Sequence, residues 1–85
     1  MKLYLNESCG IVKEDIVGIF DMDSATVSPL TRRFLAGKEK EGSVTVTTGE
    51  IPVSFAVCAE KEGLRIYFTR NAPRALRRRA ERFGL

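Results

Sequence analysis

Between residues 43 and 69, apolar and polar residues alternate in three short runs, the period of a half-buried β-strand. The runs cover residues 43–47, 51–58 and 64–68, and glycine-bearing turns separate them. Such short turns predict hairpins, so we expect an antiparallel meander. Each strand then has one apolar face, and the rest of an 85-residue chain must supply the elements that cover it.

The sequence before residue 43 predicts three more strands and a helix. Apolar runs at 2–5, 10–13 and 15–20 are β-rich, and Gly18 inside the third predicts a bulge or a close backbone approach. Ser28 and Pro29 are typical of a helix start. The apolar residues of that helix are expected to point inward onto the strands, and they are Leu30, Phe34 and Leu35.

A second helix is predicted at the end of the chain. Asn71 is a good N-cap and Pro73 fits the first turn. An amphipathic stripe follows, formed by Ala72, Leu76, Ala80 and Phe83. The predicted fold class is therefore α+β. It is one small domain over residues 1–85, with antiparallel β-sheet, one central helix and a short basic C-terminal helix, in the order β-β-β-α-β-β-β-α.

The sequence argues against several kinds of catalytic and metal-binding chemistry. The chain has no histidine, which removes Ser-His and Cys-His activation and the commonest zinc ligand. Cys9 and Cys58 match no metal spacing, and two reduced structural thiols are favoured over a disulfide. Asp21 and Asp23 have the spacing of a phosphatase D-x-D motif, but the chain is too short for that fold. We expect no enzyme, no metal, no cofactor and no small-molecule substrate.

Positive charge is concentrated at one end of the chain. Residues 70–85 contain six arginines and one glutamate, whereas residues 1–69 contain eight basic and ten acidic residues. Three uses of these arginines stay open: contact with a polyanion, a solvated helix face that complements the helix dipole, and pairing across a subunit interface. The start of the chain turns polar after Leu5, and no apolar run is long enough for a membrane span. A cytoplasmic protein is expected.

Two motifs, DIVGIFD at residues 15–21 and VSPLTRRFL at 27–35, resemble the RemA/RemB family of bacterial extracellular matrix regulators, and the chain looks nearer to the RemB branch. The resemblance runs through nearly the whole chain. It implies a regulator of extracellular matrix and biofilm genes that forms a ring of identical subunits. In that family RemA binds double-stranded DNA and activates transcription, so DNA and further copies of the chain are the implied partners.

The chain departs from the family at the DNA-binding loop. RemA uses arginines in the hairpin loop after its first helix, and this chain has Thr48-Gly49-Glu50-Ile51 there. A glutamate repels phosphate, so we expect any DNA contacts to come from other residues. The expected DNA-binding residues are Arg70, Arg74, Arg77, Arg78 and Arg82, with Lys13, Arg32 and Arg33 as further candidates. The alternative is an oligomeric interaction or scaffold protein that makes no direct DNA contact.

Overall fold

A small β-hairpin opens the chain, and it buries Leu3 and Ile11 while Tyr4 and Val12 are exposed. A computed structural model describes residues 2–82, with side chains through residue 80. Strands β1 (Lys2–Tyr4) and β2 (Gly10–Val12) pair antiparallel. The Asn6 side chain shapes the turn by accepting hydrogen bonds from the backbone N–H groups of Ser8 and Cys9, at 2.8 and 2.7 Å.

A four-stranded sheet forms the centre of the molecule, in the order β3-β5-β6-β4. Three of its strands pair antiparallel, while β4 lies parallel to β6. A bulge interrupts β3 between Ile16 and Gly18, which confirms the expectation for Gly18. A side chain at that glycine would also collide with the Phe20 ring. The strands are β3 (Ile16–Asp21), β4 (Val44–Val46), β5 (Ser54–Glu60) and β6 (Gly63–Thr69).

Residues 2–82 form three α-helices, and each begins close to the end of a strand or turn. The one-turn helix α1 (Met22–Ala25) is capped by Asp21, whose carboxylate accepts from the Ser24 N–H at 3.0 Å. Helix α2 (Pro29–Lys40) has the predicted cap, because the Ser28 hydroxyl oxygen accepts from the Thr31 N–H at 3.4 Å. Helix α3 (Pro73–Arg82) closes the described part of the chain, and a 3-10 turn (Lys13–Asp15) joins β2 to β3.

The two faces of the sheet bury different layers, because neighbouring residues of a strand point to opposite sides. On one face, Leu35 of α2 packs with Phe55, Val57 and Ile66. On the other face, Leu76 of α3 and the β1–β2 hairpin pack against residues of β3 and β5; the buried members are Leu3, Leu5, Ile11, Ile19, Ala56 and Cys58. Helices α2 and α3 therefore lie on opposite faces of the sheet.

The α+β class and the predicted order of the strands and the two longer helices are confirmed, and α1 is an element that the sequence patterns missed. The predicted meander was half right. Strands β5 and β6 form the expected antiparallel hairpin. Strand β4, however, pairs parallel with β6 rather than with β5, so residues 47–53 cross the end of β6 instead of forming a hairpin. The reason is that β5 already has both edges occupied, by β3 and β6.

The inward stripe of α2 was also partly wrong. Leu35 is buried, whereas Leu30 is 71% and Phe34 is 38% exposed. Asn71 does not cap α3 with its side chain; its amide donates instead to the carbonyl of Leu5 at 2.7 Å and to the Thr69 hydroxyl. Asn71 thereby joins the hairpin to the end of β6, a long-range contact that no local pattern in the sequence reveals.

Candidate nucleic-acid interface

Two of the arginines in residues 70–85 hold α3 in place. The Arg77 guanidinium donates to the carbonyl oxygen of Ile19 in β3. Arg79 donates to the carbonyl oxygen of Tyr4 at 3.3 Å and to the Asn71 side-chain oxygen at 3.2 Å. Both side chains satisfy backbone carbonyls that the local strand pairing leaves available, so their first role is structural.

Two other tail arginines are directed outward. Arg74 and Arg78 lie four residues apart on α3, so they share one face of the helix, and both are exposed. Neither forms a hydrogen bond or an ion pair with any side chain or backbone group of residues 2–80. Two like charges at this spacing weaken the helix slightly, so intrahelical stability does not account for the pair. Their guanidinium groups are free to bind an anion.

Arg70 has a third kind of environment, at the end of β6. It donates to the carbonyl oxygen of Ile51 at 2.8 Å and lies 3.6 Å from the Glu50 carboxylate. The acid that was expected to repel phosphate is thus paired with an arginine. Half of the Arg70 side chain and 71% of the Glu50 side chain are exposed, so the pair contributes little stability, but it orients the crossing loop 47–53.

The remaining candidates do not join this surface. Arg32 donates to the carbonyl oxygens of Thr26 and Val27, at 2.6 and 3.1 Å, and so fixes the connection before α2. Arg33 is exposed and has no partner among the described residues. Both lie on α2, across the sheet from Arg74 and Arg78, so the structure does not bring the predicted residues into one patch. The Arg82 side chain lies outside the described residues.

Lys13 lies in the 3-10 turn beside two acids. It is half-buried and precedes Glu14 and Asp15. A hydrogen bond from its own backbone N–H lowers the pKa of the Glu14 carboxyl, which keeps that group charged. The turn therefore presents acid next to base and is a poor place for a phosphate.

An apolar groove lies beside α2, and the sequence patterns gave it no role. It has a volume of about 360 Å³ between the edge strand β3 and α2, and Phe55 and Val57 are among its lining residues. Its rim is formed by apolar side chains that are 38–71% exposed, and they are Val17, Phe20, Leu30 and Phe34. A cluster of exposed apolar side chains of this kind is typical of a protein–protein interface.

Two further sets of side chains bear on chemistry. Asp21, the first acid of the D-x-D pair, caps α1, so a structural role accounts for it. Within residues 2–80, no group of three Cys, Asp or Glu side chains is placed to hold a metal ion.

Among the described helices, none has the length and apolar content to cross a membrane.

Comparisons with protein-family models and with curated proteins add no relative. No protein-family model matches the chain, and no curated protein matches it either. The resemblance to the RemA/RemB family accordingly depends on the motifs at residues 15–21 and 27–35.

Proposed function

We propose that this protein is a RemB-like bacterial regulator of extracellular matrix genes. It acts in the cytoplasm as a ring of identical subunits and binds double-stranded DNA without a cofactor. It catalyses no reaction. The observation that carries the DNA-binding part is the exposed pair Arg74 and Arg78, which the described residues leave without a partner.

The chemistry of arginine supports a phosphate contact at this pair. A guanidinium matches the oxygens of a phosphate, and each phosphate that is neutralised releases counterions. One subunit supplies too few such contacts to hold DNA at physiological salt. A ring repeats the pair at every subunit, and the effective concentration of the neighbouring sites raises the overall affinity. Assembly and DNA binding are therefore parts of one proposal.

The experiment measures binding of the purified protein to a fluorescent DNA duplex across a salt series. The double substitution Arg74→Ala/Arg78→Ala is compared with Lys2→Ala/Lys61→Ala, which removes the same charge from exposed lysines elsewhere. We expect the arginine variant to bind more weakly at every duplex sequence. The slope of log K against log salt should fall by about 0.9 for each phosphate that the variant no longer neutralises. The lysine variant should keep most of the wild-type slope. Equal slopes for the two variants would contradict the proposed site.

A second candidate is an oligomeric scaffold protein that does not touch DNA. The observation that favours it is the internal use of Arg32, Arg77 and Arg79, which donate to backbone carbonyls of the same chain. The same salt series separates the two functions. A stable assembly that does not bind the duplex even at low salt would overturn the first proposal and favour the scaffold.

A further inference from the structure

The apolar groove brings together four of the large apolar side chains that are exposed in the described chain. Val27, in the connection before α2 and three residues before Leu30, is also an exposed apolar side chain, at 75%. If a fully exposed side chain of this size presents about 150–200 Å², the groove rim and Val27 leave on the order of 500 Å² uncovered. The largest apolar patch on a typical monomer is about 300–600 Å² and is often functional. We therefore expect a binding partner to cover this surface.

A second, smaller apolar patch lies away from the groove. Val46 is 60% exposed on β4, the strand at the opposite edge of the sheet from β3. Ile51 is 81% exposed on the crossing loop that leaves β4. We call these two residues the loop patch. An exposed isoleucine on a loop held by Arg70 can enter an apolar groove at little conformational cost, because the loop is already ordered.

We infer that the groove of one subunit receives the loop patch of the next, and this inference rests on the proposed homo-oligomer. The two patches together offer roughly 700 Å² of apolar surface. A stable interface buries about 1,200–2,000 Å² in total, a little over half of it apolar. A little over half of that range is about 700–1,100 Å², so the two patches match the apolar content of an interface at the small end of the range.

Charge decides between this head-to-tail contact and a two-fold contact of groove against groove. Arg33 lies one helical turn after Leu30, at the margin of the groove, and has no partner among the described residues. A two-fold contact brings Arg33 toward its own copy, which is repulsive, and leaves Val46 and Ile51 exposed. The head-to-tail contact instead covers Val46 and Ile51 and brings the Glu50–Arg70 pair, which has no net charge, toward Arg33, so Arg33 meets no repulsion there.

Head-to-tail contacts use two different surfaces of each subunit, so they continue from copy to copy. They close into a ring when the rotation between subunits permits closure. The groove lies on the α2 face of the sheet, while Arg74 and Arg78 lie on the α3 face. The contact therefore leaves the arginine pair open to DNA in every subunit.

The experiment uses two substitutions that each destroy one half of the contact. Leu30→Glu breaks the groove and keeps the loop patch, and Ile51→Glu breaks the loop patch and keeps the groove. Both residues are more than 70% exposed, so neither change disturbs the core. The matched control is Val12→Glu, an exposed valine on the hairpin opposite Lys2. The mass of each protein in solution is measured alone and after mixing in equal amounts.

We expect the wild type and Val12→Glu to assemble and each of the two interface variants to be a 9.5 kDa monomer. Mixing Leu30→Glu with Ile51→Glu should give a 1:1 dimer, because one intact groove then meets one intact loop patch. If Ile51→Glu assembles like the wild type, or the mixture stays monomeric, the head-to-tail contact is wrong. A monomeric wild type overturns this contact and the proposed ring together, whereas the salt series on Arg74 and Arg78 tests DNA binding separately.

Discussion

Cys58 and Tyr67 share the layer of the core that lies beneath the β1–β2 hairpin. Cys58 is 1% exposed, and burial raises the pKa of its thiol to about 12. Burial also raises the pKa of the Tyr67 hydroxyl, and the hydrogen bond that this hydroxyl donates to the Glu60 carboxylate raises it further. Both groups are therefore held in their neutral, protonated forms, because the charged forms would be poorly solvated.

This protonation predicts a loss of stability in alkaline solution. The ordinary pKa values of the two groups are 9.0 and 10.0, so above pH 9 the unfolded chain loses protons that the folded chain retains. The contribution of Cys58 is complete below pH 9 and disappears as the pH rises toward about 12. Urea denaturation at a series of pH values should show the free energy of unfolding falling across this window. The variant Cys58→Ala/Tyr67→Phe should show a shallower fall, and an unchanged slope would contradict the assignment.

Among the described residues of helix α3, Arg77 bonds to the sheet, while the next residue, Arg78, is exposed to solvent. Arg77 bonds to the carbonyl of Ile19, and Arg78 has no such partner among the described residues. We expect Arg77→Ala to lower the free energy of unfolding by about 1 kcal/mol, because the Ile19 carbonyl loses a charged donor. Arg78→Ala should change it by less than about 0.5 kcal/mol. Urea denaturation measures both variants, and equal losses would contradict the structural role of Arg77.

The two longer helices also differ in what their leucines cover. Leu76 of α3 is fully buried, so Leu76→Ala should cost about 2–5 kcal/mol of stability. Leu30 of α2 is 71% exposed, and Leu30→Ala should cost less than about 0.5 kcal/mol in the monomer. Thermal or urea unfolding, made at a concentration low enough to exclude assembly, distinguishes the two. A large loss at Leu30 would show that the groove is a closed part of the core.

Local patterns predict the elements of this fold better than their pairing. Alternation and the Ser28-Pro29 cap located the strands and α2, because these features depend on neighbouring residues. The parallel pairing of β4 with β6 depends on which strand edges are free, and a three-residue strand carries too little pattern to indicate that. The sequence patterns located the apolar stripe of α2 but predicted the wrong surroundings for Leu30 and Phe34. The helical spacing of these two residues is the same whether their own sheet or another subunit covers them.

The arginine tail shows the same limit at the candidate site. Composition located the positive charge, but six arginines in sixteen residues look alike in a sequence. Only the packing of α3 separates Arg77 and Arg79, which reach backbone carbonyls, from Arg74 and Arg78, which reach solvent. The sheet then separates α3 from Arg32 and Arg33 on α2. The candidate DNA surface is therefore smaller than the sequence predicted.

At the scale of the whole molecule, the sheet separates two surfaces of different chemistry. The α2 face carries the exposed apolar side chains of the groove, with Arg33 beside them, and the α3 face carries the exposed pair Arg74 and Arg78. Apolar surface stabilises contacts between subunits, and arginine stabilises contacts with phosphate. The proposed assembly would add stability to a chain of this size, because its own core is small. Placing the two surfaces on opposite faces lets an assembly form without using the arginine pair.

The proposed assembly makes the thermal stability depend on protein concentration. Unfolding an assembly releases separate chains, so mass action raises the melting temperature as the total protein concentration rises. We expect this dependence for the wild type and for Val12→Glu. Leu30→Glu should melt at one temperature at all concentrations, because its groove no longer receives the neighbouring loop patch. Calorimetry over a wide concentration range tests the three proteins together. A wild-type melting temperature that does not change with concentration would mean that the groove stays open in solution. The exposed apolar side chains of α2 would then have to be covered by a different kind of molecule.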